Sequence, residues 1–388
     1  MKAQPDSIER RFFPRTTTAS FRPTLLTAVL LLFVVSGTVL LAQDDNGAFL
    51  PQPVRGASTI PMNGDLNPYG VAFVPSGFPG GGTATPGDIL VSNFNSSANL
   101  QGTGSTIVDI TPGPPSNPAG SAQVFFQGRA GLGLTTALNI LRAGFVLVGN
   151  FPTTGNPCPA APGTPGSILV IDKTGTRVNT ISGAMINGPW DSALFDQGTS
   201  AKLFVANALT GTVVRLDLSV GGPMGVTVNR PITQIASGYK VICDPVTFID
   251  APTGLVYDPR RDVLYVASTA DNAVFAIGDA GGTDKDRGTG ILIYRDNVHL
   301  HGPLAMIQAP NGHLIVSNND SALINSDPKH PSELTEFAKD GQFVKQLSVD
   351  PAQGGSFGLA VATSGGATKL AAVDDNQNIL LIWTLPLP

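Results

Sequence analysis

The sequence predicts an all-β fold, a six-bladed β-propeller, and three observations carry that expectation. The first is composition: 45 glycines and 32 prolines against only 13% charged residues, which favours short strands and turns over helices. The second is a recurring landmark, an apolar run that stops on a small polar residue. It falls at 89–93, 146–150, 203–207, 264–268, 314–318 and 370–374 and ends on Asn93, Asn150, Asn207, Ser268, Asn318 and Asp374. Six copies at a near-constant period mark a repeat architecture. The third is what flanks each landmark: a short apolar run before it and one or two after it, separated by turns rich in Gly, Pro, Asn and Asp.

Taken in order, residues 1–23 are polar and basic, and 24–42 are apolar apart from small residues. The second stretch suits an export signal, with Ala42 as a mediocre cleavage residue, or a transmembrane anchor that nearly spans a bilayer. Lys2, Arg10, Arg11, Arg15 and Arg22 all precede it, so the positive-inside rule leaves that end cytoplasmic and exports the rest. The membrane is expected to be touched only through this segment. Residues 43–53 form a linker, and 54–388 form the propeller. The formal net charge is −5, and with those five basic residues set aside the body is more acidic still. No basic stripe offers itself to nucleic acid.

The first unit spans 69–73, 89–93, 106–110 and 123–127; the second 136–138, 145–150, 167–172 and 177–181, with a Pro/Gly-rich insertion at 153–166. The third is 192–195, 203–207, 212–218 and 232–236, and the fourth 255–257, 263–267, 273–277 and 291–294. The fifth is 304–307, 314–318, 334–338 and 343–347. The sixth, at 357–361, 370–374 and 378–383, is one strand short. A strand at 54–61, ahead of the first unit, is placed to supply the missing outer strand and close the ring.

Units built as Pro-x-Gly-Leu/Val-x-Phe/Tyr-x-Pro, then a turn and a strand ending Val-Ala/Ser-Asn, resemble NHL repeats. The clearest copy begins at Pro252-Thr-Gly-Leu-Val-Tyr-Asp-Pro259. The resemblance extends from residue 54 to the end and includes the wider group of gluconolactonase-like and strictosidine-synthase-like six-bladed propellers. It implies that ligand sites lie on the face formed by the loops between second and third strands and by the links from one blade to the next, called the top face below.

That face is expected to carry Asn207, Asn318, Asp320, Asp374 and Asp375 as candidate ligand-binding residues, with Asp374, Asp375 and the 318–320 run brought together by neighbouring blades. Amide and carboxylate oxygens of this kind suit Ca2+ or another divalent cation. The plainer expectation is that such residues end strands through turn chemistry. The links add Tyr69, Trp190, Asp191, His299 and His301. His299 and His301 form a possible metal pair that lacks a third ligand, and solvated loop histidines are the simpler expectation.

Gly354-Gly-Ser-Phe-Gly358 matches a nucleophile elbow in letters only, since no histidine follows it. Asp284-x-Asp286-x-Gly288 is a weak calcium-loop match. Cys158 and Cys243, the only cysteines, are expected to form a disulfide across the top face in an oxidising compartment. The expected function is binding of a protein, peptide or carbohydrate partner through the top face. The alternative is a metal-dependent hydrolase of lactones or esters with its site at the channel mouth.

Overall fold

In the computed structural model the described residues are 47–51, 56–113, 120–153, 165–244, 247–318, 330–364 and 366–386. The chain divides at Gln43, and the compact body begins at Asp44. Segment 24–42, Cys158 and Asp320 lie outside the described residues. Among the described residues every element is a strand, and no helix is long and apolar enough to cross a membrane.

The strands assemble as six radial blades. Strand β1 (Gly56–Ser58) comes first and belongs to the last blade. Blade one is β2 (Leu66–Phe73), β3 (Ile89–Asn95), β4 (Thr106–Thr111) and β5 (Ser121–Gln127). Blade two is β6 (Leu134–Leu141), β7 (Phe145–Asn150), β8 (Ser167–Asp172) and β9 (Arg177–Ile181). Blade three is β10 (Pro189–Asp196), β11 (Ser200–Asn207) and β12 (Thr212–Val220), whose outer edge is shared by β13 (Val226–Val228) and β14 (Thr233–Ala236). A separate hairpin follows, β15 (Ile242–Asp244) and β16 (Phe248–Asp250). Blade four is β17 (Pro252–Asp258), β18 (Val263–Ser268), β19 (Ala273–Gly278) and β20 (Ile291–Tyr294). Blade five is β21 (Pro303–Gln308), β22 (Leu314–Asn318), β23 (Ser332–Phe337) and β24 (Phe343–Asp350). Blade six is β25 (Ser356–Ser364), β26 (Ala367–Asp374) and β27 (Ile379–Pro386). On its outer edge β1 runs antiparallel to β27, with Ala57 opposite Leu380.

Each second strand is the apolar landmark, and it is buried on both faces: Leu203, Phe204, Val205 and Ala206 are all fully buried. That is why these runs read as continuous rather than alternating. Every inner strand carries a register shift against its neighbour near its beginning, for example between Pro189 and Ser192 and between Pro303 and Met306. Proline is tolerated at such bulged strand starts, where no ladder donor is needed. The glycine of the Gly-Leu pattern has a packing reason. A Cβ on Gly254 would stand 2.3 Å from the Leu304 carbonyl oxygen, and one on Gly358 would stand 1.8 Å from that of Tyr69. Glycine there lets adjacent inner strands approach at the narrow axis.

The connection between the linker and the propeller is also specific. Phe49 and Leu50 donate their backbone N–H groups to Glu336, at 2.8 and 3.0 Å. Lys345 donates to the Leu50 carbonyl at 2.9 Å. Glu336 is fully buried and 2.7 Å from Nδ1 of the equally buried His313.

Candidate functional site

The ring of small polar residues that end the second strands is built into the blades. Asn207 donates to the Met185 carbonyl and the Thr212 hydroxyl, and its Oδ1 accepts from the Asn187 N–H. Asn318 repeats this with the His299 carbonyl, the Thr335 hydroxyl and the His301 N–H. Asn93 donates to the Thr59 carbonyl and the Thr106 hydroxyl. In blade four Asn272, in the following turn, performs the same task on Leu300 and Gly302. Asn93, Asn207 and Asn318 thus clamp the link leading into their own blade to the hairpin beside it, and Asn272 clamps the link leading out of blade four. The left-handed residues are others, such as Asn67, Asn272 and Asn378. The landmark residue is therefore structural through its side chain rather than through its backbone angle.

Asn207 and Asn318 each bond within their own part of the ring and do not meet. Asp374 and Asp375 do sit in an acidic group, and Asp320 lies outside the described residues. Burial, then the nearby Asp350, pushes the Asp374 carboxyl up to about 6. Burial, then Asp374, pushes Asp375 up to about 7. Such shifts follow when like charges share a site with little water. Asp65, the carboxylate ahead of blade one, accepts from the Ser105 N–H at 2.8 Å and from the Thr106 hydroxyl at 2.9 Å.

The top of the central channel is closed by aromatic rings. Tyr69 stacks on Phe94 and Phe357, with centroids 4.7 and 4.5 Å apart. Trp190 stacks on Phe248 at 6.0 Å and meets Phe94 and Phe151 edge-on. All six are buried. Phe248 comes from the β15–β16 hairpin and holds a φ of 78°, unusual for a side chain of its size. The Tyr69 hydroxyl is pushed well above its ordinary value by burial, then by Asp375.

Below this plug the channel is a cavity of about 780 Å³, walled by the inner strands and lined by Val71, Leu138, Ala193, Leu255, Met306 and Leu359 among others. Asp191 lines it as well, so this residue of the link faces the channel rather than the top surface. Its oxygens accept from the backbone N–H groups of Ser192 and Leu255, both at 2.8 Å. Burial nonetheless pushes its carboxyl up to about 8. Near it Asn139 donates to the Ser192 hydroxyl at 2.6 Å. These polar groups are held by bonds within the fold.

The histidines are not solvated loop residues. His299 lies flat on Phe343, with centroids 3.7 Å apart, and its Nδ1 is 2.6 Å from Asp296 Oδ2. His301, only 2% exposed, turns instead to His330, with ring centroids 3.8 Å apart, and its Nδ1 is 3.9 Å from Glu333 Oε2. Neither ring nitrogen of His301 has a hydrogen-bond partner of ordinary geometry. Burial, then His330, lowers its pKa, against a smaller upward pull from the Asn297 backbone. His313, in the turn on the opposite face, belongs to the buried pair with Glu336. Ser356 of the elbow-like motif donates to the Glu333 carbonyl. Asp286 of the calcium-loop-like run accepts from Gln234 and from the Gly288 N–H. Among the described residues no cysteine is free.

No family model matches the chain, and no curated protein matches it by sequence. Among solved structures it is similar to the calcium-binding protein regucalcin from Agrobacterium tumefaciens strain C58. That likeness has 12% identity and a TM-score of 0.50, covering 87% of this chain and 96% of the other. It is a likeness of fold. A chain in a nidogen–laminin complex matches at 13% identity and a TM-score of 0.43, covering 74% of this chain and 91% of its own. A protein taken to be a gluconolactonase matches at 11% and 0.48, covering 86% and 93%.

Proposed function

We propose that this six-bladed propeller is an exported binding module that holds a protein, peptide or carbohydrate partner on its top face. One observation carries the reading. Five large apolar side chains stand exposed on top-face loops: Ile60, Met62, Leu100, Val241 and Val298, with Met62 wholly exposed and Val298 68% exposed. They stand on the face whose channel mouth is already filled with aromatic rings. Exposed apolar residues on one functional face, rimmed by polar loops, suit partner docking. The alternative, a lactone or ester hydrolase with a cation at the channel mouth, needs convergent oxygen ligands there. Asp65, Asn207 and Asn318 are engaged in bonds within the fold, which favours binding.

The test uses the full chain as bait in an extract of the organism that makes it. A partner is expected with the wild type and with a control changed at Met224, Ile291 and Leu292 to serine, away from the top face. The same partner should be lost from a variant carrying Met62→Ser, Leu100→Ser and Val298→Ser. Retention by the top-face variant would overturn the docking surface, and turnover of a small lactone or ester by the wild type would favour the hydrolase. The reading includes a Cys158–Cys243 bond formed after export. Thiol titration of the denatured, unreduced chain is then expected to find none, and two per chain would count against the bond.

A further inference from the structure

We infer that His301, His330 and Glu333 form a binding site for a first-row transition cation of the Zn2+ kind, on the top face of blade five. Among the described residues these three are the one group of imidazole and carboxylate side chains whose ligand atoms all lie within 4.8 Å of one another. Two imidazoles and one carboxylate make a donor set suited to Zn2+ and its neighbours, whereas Ca2+ calls for six or more oxygens.

His301 gives the independent sign of a ligand. Only 2% of the residue is exposed, yet neither ring nitrogen has a hydrogen-bond partner of ordinary geometry, with the Asn297 backbone as a weak neighbour, and such a buried polar group asks for an explanation. Its side chain is held in place from behind, because its own N–H is fixed by Asn318 at 3.1 Å. A cation would meet one of these nitrogens and the facing groups of His330 and Glu333.

The other two ligands are partly exposed, so they have room to close. Bonds of about 2.0–2.1 Å in a tetrahedral shell bring ligand atoms to roughly 3.3 Å apart. His301 Nδ1 and Glu333 Oε2 at 3.9 Å are already near that separation. Gln346 donates its side-chain N–H to Glu333 Oε2 and so orients the carboxylate, as outer partners of metal ligands commonly do. Three protein ligands leave a fourth position open to water or to a donor atom of a bound partner. None of the docking residues is a ligand, although Val298 stands in the same link as His301, so metal binding is read separately from partner capture.

The experiment is equilibrium dialysis of the chelator-treated full chain against Zn2+ alone, with Co2+ absorption in the visible as a second readout. One equivalent per chain is expected, undisturbed by excess Ca2+. His330→Ala should weaken Zn2+ binding by more than 100-fold and abolish the Co2+ bands. Its melting temperature without metal should stay unchanged, since the ring is partly exposed. Gln346→Leu should weaken binding by about 10–100-fold, and Asp374→Asn with Asp375→Asn should leave it unaltered. Binding well below one equivalent, or binding that survives His330→Ala, would overturn the site. Loss of binding in the Asp374/Asp375 variant alone would place the cation in the acidic group and overturn it equally.

Discussion

Glu336→Ala is expected to lower the stability of the propeller by roughly 3–5 kcal/mol, because several buried groups lose their hydrogen-bond acceptor at once. The side chain is fully buried and answers four donors: the N–H groups of Phe49 and Leu50, His313 at 2.7 Å, and Asn311 at 3.4 Å. Alanine leaves a buried imidazole and two backbone N–H groups without acceptors, and each such loss costs about 1–3 kcal/mol. Glu336→Gln keeps the volume but turns an amide N–H toward those donors, so a smaller loss of the same sign is expected. Chemical denaturation measures both, and limited proteolysis adds a local readout. In both variants residues 47–51 should become cleavable while the blades still resist. A variant as stable as the wild type would show that the anchor contributes nothing.

A chain that begins at Met62 is expected to be less stable than one that begins at Gln43 by on the order of 5 kcal/mol, at about 1 kcal/mol per lost hydrogen bond with apolar burial added. The truncation removes the ladder between Gly56–Ser58 and β27. It also removes two bonds from Thr59 to the Asn378 carbonyl, each 2.9 Å, and takes one of two acceptors from Asn93. Leu50, 3% exposed, goes with it. The outer edge of β27 is then unpaired, and such an edge invites association with other chains. Sedimentation alongside thermal melting reads both effects. Equal melting temperatures and a monomer in each case would refute the closing role of β1.

Most of the ring was legible because its signals are local. The second strands are uninterrupted apolar runs such as Leu314-Ile-Val-Ser-Asn318, and burial on both faces makes them the loudest feature of each unit. What escaped was short or distant. β13 and the β15–β16 hairpin have three residues each, too few for any period to register. The aromatic plug joins Tyr69, Phe94, Phe151, Trp190, Phe248 and Phe357 from six separate stretches of chain; Phe94 and Phe151 do share a place just after a landmark asparagine, but Phe248 comes from outside the blades and no spacing announces it.

The site shows the same divide. Asn207 and Asn318 were visible as positions, but their role depends on carbonyls in the preceding link, which no run of sequence displays. His301 was found and given His299 as its companion. The structure gives it His330 and Glu333, across the insertion that follows Asn318. One signal was available: His330-Pro-Ser-Glu333 puts two residues of ligand type at the start of a third strand, and in blades one, three and five that point lies beside the incoming link, which in blade five carries His301.

The pairing of β1 with β27 also sets the order of events during biosynthesis. Gly56 leaves the ribosome before any blade exists, and its partner Leu381 is made only after five blades and most of the sixth. The blades can form one after another as hairpins of nearby sequence, since each closes short loops. The ring itself can seal only once β27 has been made. Until it seals, β27 or its precursors present an open edge, the exposure at which multi-unit chains are most prone to go astray. A contact between residues this far apart in sequence is thus the one that makes the fold a ring.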